Sequence, residues 1–73
     1  MKIIIENTSK IVKANGLDCR VWEGVTASGI KISALIPRIA VGPGEDVSQF
    51  EAELQSTRPP SPEIEAWPLR MIL

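Results

Sequence analysis

Apolar and polar residues alternate with a period of two in two stretches, Leu17 to Glu23 and Ile30 to Ala34, the spacing of strands rather than helices. Ile3-Ile4-Ile5 is a β-branched run too short for an amphipathic helix, and Asn7-Thr8-Ser9 behind it reads as a turn, so a first short strand ends there. Lys10 to Ala14 forms a second extended segment. Asn15-Gly16 then supplies the two positive-φ positions of a tight type I′ hairpin turn, and the chain reverses. From Leu17 to Glu23, Cys19 and Val21 alternate with Arg20 and Trp22, which sets the two pairs on opposite faces of a strand. Gly24 to Gly29 carries the next turn signals. Ile30, Ile32 and Ala34 resume the alternation against Lys31 and Ser33, predicting a second hairpin. Pro37 has no N–H for a sheet ladder, so Leu35 to Val41 bends, bulges or lies at an edge, with Ile39 and Val41 as a candidate short strand.

Gly42-Pro43-Gly44 closes the strand region, and the pattern then changes period. Val47, Phe50 and Leu54 follow helical spacing and predict a helix over Val47 to Ser56. Two capping boxes compete for its start, Ser48 with Glu51 and Asp46 with Gln49. Asp46, Glu51 and Glu53 suit the positive end of the helix dipole, and Arg58 lies toward the negative end. Arg58-Pro59-Pro60-Ser61-Pro62 cannot continue a helix and is expected to run extended. The final Trp67-Pro68-Leu69-Arg70-Met71-Ile72-Leu73 is strongly apolar and reads as a last strand returning to the sheet, or to a partner's sheet. The expected architecture is α+β, a single domain over residues 1–73 with a small antiparallel sheet of four or five strands and one helix packed on it.

Length limits what such a domain can bury. A chain of 73 residues covers only roughly 60% of the surface its unfolded form exposes, so self-association is a natural way to bury the rest, and a homo-oligomer is expected. The apolar content of 44% separates the chain from disordered segments. Eight basic and nine acidic residues leave a net charge of −1, which provides no long-range field for a polyanion and argues against general nucleic-acid binding. Three isoleucines before Glu6 are too few for a signal peptide or a membrane span. With Cys19 as the lone cysteine, the expected setting is cytoplasmic and reducing.

Catalysis has little to draw on. Histidine and tyrosine are absent, so no catalytic residue, metal ligand set or cofactor motif is assigned. Gly42-Pro43-Gly44-Glu45 lacks the Lys-Ser/Thr ending of a phosphate loop. Cys19 alternates with Val21 and is read as a small core residue rather than a nucleophile. Recognition is better served, because tryptophan and arginine are enriched at binding hot spots and stack on planar groups. Arg20 and Trp22 are therefore the leading binding residues, with Lys31 able to face the same way across the hairpin, and Arg38 and Arg70 as further cations. The alternative is that Trp22 packs in the core while Arg20 and Lys31 are ordinary solvated residues.

Arg20-Val21-Trp22-Glu23-Gly24, Pro37-Arg38-Ile39-Ala40-Val41, Ser48-Gln49-Phe50-Glu51-Ala52-Glu53-Leu54 and Pro68-Leu69-Arg70-Met71-Ile72-Leu73 together resemble small accessory proteins of temperate, Mu-like bacterial phages and prophages. The resemblance implies a setting and transfers no functional residue. It points to host modulation by binding: anti-defence inhibition of a host protein, or an oligomeric sponge for an anionic, nucleotide-like signalling molecule. A structural or assembly component is the third expectation.

Overall fold

The computed structural model describes residues 1–62, and it is an α+β arrangement of three antiparallel strands and one helix. Strand β1 covers Ile3–Ala14, β2 Leu17–Thr26 and β3 Lys31–Ile36, in the order β1-β2-β3. Helix α1 follows at Val47–Gln55. No helix among the described residues is long and apolar enough to cross a membrane.

The two short segments expected at Ile3–Ile5 and Lys10–Ala14 are one strand, and Asn7-Thr8-Ser9 is not a reversal. The register of β1 on β2 shifts between Asn7 and Ile11, so the polar triplet forms an irregularity inside a single long strand. Thr8 explains why it persists. Its side chain is fully buried, with Oγ1 donating to the Val21 carbonyl at 2.7 Å and accepting from the Lys10 N–H at 3.3 Å. Ile39 and Val41 lie outside the described strands, and the expected C-terminal strand falls beyond the described residues. The described sheet therefore has three strands rather than four or five.

Asn15 and Gly16 adopt positive φ, 52° and 79°, in the tight turn between β1 and β2. The second hairpin is built differently. Thr26 N–H donates to Ile30 O, Gly29 N–H donates to Thr26 O, and Gly29 sits at φ 88°, so a three-residue loop closes β2 onto β3. An odd loop pairs even positions with even ones: Trp22 with Ala34, Gly24 with Ile32 and Arg20 with Ile36. Lys31 instead pairs with Val25 and shares the face of Cys19, Val21 and Glu23.

That second face holds the buried interior. Cys19 is 3% exposed and Val21 fully buried, as their alternation predicts, and Glu23 continues the same row inward at 8% exposure. Among the described residues no other apolar side chain is fully buried. The other face, with Arg20, Trp22 and Asn7, meets the end of the helix. Asp46 caps α1, its Oδ1 accepting from Gln49 N–H at 2.9 Å, which resolves the competition in favour of Asp46 over Ser48. At the other end, the Asn7 side-chain amide donates to the Leu54 carbonyl at 2.7 Å, meeting one of the acceptors a helix terminus leaves open. Beyond Ser56 the chain runs beside β1, where Arg58 forms a parallel bridge to Thr8 and Ser9 N–H donates to Arg58 O at 2.9 Å. Arg58 does not serve the helix dipole; its guanidinium is turned to Glu23.

Candidate functional site

Two constellations of polar side chains stand out, one on each face of β2. On the first face, the even residues of β2 put Arg20 beside Trp22, and β3 delivers Ile36 opposite Arg20. The chain after β3 turns at Pro37, bringing Arg38 and Ile39 to the same place. Ile11 from β1, Asp18 from β2 and Leu54 from α1 complete an open cleft of about 230 Å³. Its walls are aliphatic and aromatic, and its charges are two guanidiniums against one carboxylate.

The two arginines are held differently. Arg20 Nη1 donates to the Thr8 carbonyl at 2.8 Å, so the strand irregularity that buries Thr8 also fixes the direction of this guanidinium. Trp22 is half-buried beside it. Arg38 is exposed and makes no hydrogen bond or ion pair among the described residues, which leaves its planar fork open to an incoming anion. Asp18 lies 3.9 Å from Lys13 Nζ, and both side chains are well solvated. The cleft thus offers an anion-pairing edge above an apolar floor.

Three of the five residues singled out from the sequence, Arg20, Trp22 and Arg38, meet in this cleft. Lys31 does not join them, because the three-residue loop of the second hairpin sends it to the opposite face. Arg70 lies outside the described residues. Sequence reading missed Ile11, Ile36, Pro37, Ile39 and Leu54 as walls; the Pro37 bend was the available signal, since it forces the chain off the ladder beside Arg38.

The second constellation was missed altogether. Glu23 Oε2 accepts from Arg58 Nη1 and from Ser61 N–H, both at 2.9 Å, while Oε1 accepts from the Ser61 hydroxyl. Glu6 Oε2 lies 4.0 Å from Arg58 Nε. Burial alone raises the Glu23 carboxyl pKa, but the bonds from Ser61 and Arg58, with the Arg58 charge, outweigh it and hold the group below the ordinary carboxylate range. Every oxygen of Glu23 is thereby engaged in fastening the 58–61 segment across the sheet, which makes this a structural latch rather than a reactive site. Extending the Cys19–Val21 alternation by two residues would have marked Glu23 as inward and in need of partners.

Comparisons of the chain with protein-family models, curated proteins and solved structures find no match, so the cleft is interpreted from its own chemistry.

Proposed function

We propose that the chain is a non-catalytic binding module that engages a partner protein through the Arg20–Trp22–Arg38 cleft. The convergence of Arg20 and Trp22 from β2 with Arg38 from the segment after β3 on one open apolar cleft carries this reading. Size favours a protein over a nucleotide-like ligand. Pockets that enclose small molecules usually span about 300–1,000 Å³, whereas a cleft of about 230 Å³ suits one or two anchoring side chains of a partner. An apolar anchor flanked by a carboxylate matches the lining, with the anchor against Trp22, Ile36 and Leu54 and the carboxylate on Arg38. In the phage setting that the sequence resemblance implies, such a partner is a protein of the host's defence or regulatory machinery.

The test uses the whole chain as bait in host lysate, with Arg38→Glu as the matched control and retained proteins quantified by mass spectrometry. Arg38 is exposed, so reversing its charge is expected to leave the melting temperature nearly unchanged while removing the specific partner. Equal retention by both baits refutes the cleft as the site. Trp22→Ala is the less discriminating variant, since its half-buried ring contributes to packing as well as to the cleft.

A further inference from the structure

The small interior leaves large apolar side chains in water, and the N-terminal half of β1 is where they gather. Ile3 is 43% exposed and Ile4 77%, with Val25 beside Ile4 at 39%. β1 is also an edge strand. Ala27 N–H donates to Lys2 O, which sets Lys2, Ile4 and Glu6 as the residues whose backbone groups point toward β2. By alternation the N–H and C=O groups of Ile3 and Ile5 point outward, and no partner meets them among the described residues. The edge is not open along its whole length. At Ser9 the Arg58 carbonyl already occupies it.

An open edge bearing consecutive isoleucines is a template for another strand, and the side chains along it decide which strand. Lys2, Ile4 and Glu6 lie on one face, a cation and an anion placed symmetrically about an isoleucine. That order is complementary to itself when reversed. We infer that the Ile3–Ile5 edge pairs antiparallel with the same edge of a second copy, with Ile4 on the two-fold axis and Lys2 opposite the partner's Glu6. In this register Ile3 and Ile5 form hydrogen-bonded pairs with the partner's Ile5 and Ile3, so all four outward-pointing backbone groups of each chain are satisfied. On the Ile4 face, Val25, Ile4, the partner's Ile4 and the partner's Val25 form one apolar stripe across a six-stranded sheet. A shift by two residues in either direction sets Ile4 against a charged side chain, Glu6 or Lys2, and a shift by one turns the wrong backbone groups to the edge. Lys2 has no ion pair among the described residues, and Glu6, despite its 4.0 Å approach to Arg58, keeps 75% of its side chain exposed, so both can reach a partner strand.

Cross-linking and charge reversal test the register on the full chain. On the axis, the two Ile4 Cα atoms stand about 4.5 Å apart, as in other non-hydrogen-bonded antiparallel pairs; disulfides form within roughly 4.4–6.8 Å. Ile4→Cys is expected to convert to a disulfide-linked dimer under mild oxidation, well ahead of Ile3→Cys and Ile5→Cys, with wild type unlinked because Cys19 is buried. Lys2→Glu and Glu6→Lys, each alone, set like charges opposite one another at both ends of the edge and are expected to weaken dimerisation about tenfold or more at low salt. Mixing the two variants pairs each new glutamate with a new lysine, and light scattering is expected to return the mass of two chains. Wild type at the mass of a single chain throughout the micromolar range, preferential cross-linking of Ile3→Cys or Ile5→Cys, or failure of the mixture to dimerise overturns the inference.

Discussion

Replacing Glu23 by glutamine tests whether the 58–61 latch is a principal support of the fold. The substitution keeps the side-chain shape but replaces one oxygen by an NH2 group, which then confronts donors: the Arg58 guanidinium and Ser61. A hydrogen bond to a charged group contributes about 1.5–3 kcal/mol net. Arg58 keeps a fallback in water and in Glu6, since 39% of its side chain is exposed, so its share is discounted. The loss then comes to roughly 2–3 kcal/mol, set against a total of about 4–11 kcal/mol for a domain of this length. Urea titration followed by circular dichroism reads the difference, and the corresponding fall in melting temperature is roughly 10–20 °C. The pH dependence supplies a second reading with a definite sign. Because the folded-state pKa of Glu23 is depressed, the folded protein holds fewer protons than the unfolded chain between the two values, and stability rises with pH across that window. The contribution is complete above the ordinary glutamate value of about 4.3 and is lost as pH falls through the folded value. Wild type is therefore expected to converge on Glu23→Gln in acid and to separate from it toward neutrality. Curves that run parallel from acid to neutral pH, or a neutral-pH difference under about 0.5 kcal/mol, would refute the latch.

Two further substitutions probe the sheet. Gly24→Ala places a Cβ within 1.8 Å of the Ile4 carbonyl oxygen, which is backbone and cannot step aside, so β1 must move off β2; a loss of about 3 kcal/mol, at the upper end of overpacking costs, is expected in the same urea titration. Cys19 is buried beside Val21, so its thiol is expected to resist an aromatic disulfide reagent in the native state and react fully in denaturant, and Cys19→Ala should cost about 1 kcal/mol while leaving partner capture intact.

Local chemistry written in consecutive residues was enough to define much of the molecule. The inward placement of Cys19 and Val21 follows from a period of two, the first reversal from Asn15-Gly16 and the helix from Val47, Phe50 and Leu54 behind an acidic cap. These features depend on residues within a few positions of one another, where propensity and periodicity act directly. The arginines and the tryptophan drew attention for a similar reason, because their side chains carry recognition chemistry wherever they lie.

Tertiary structure decided which of them meet. One residue more or less in a hairpin loop moves Lys31 from one face of the sheet to the other, and nothing in the alternation of β3 alone records that parity. The same holds for Asn7-Thr8-Ser9: its residues favour a turn, but the Thr8 hydroxyl reaches across to the Val21 carbonyl, thirteen residues away, and that long-range bond makes the triplet a kink within a strand. Arg58 reads as a helix-end cation until the chain folds back and sets it against Glu23. Partners separated by 35 residues are joined by topology, and a pattern confined to one short window carries no record of the distance between them.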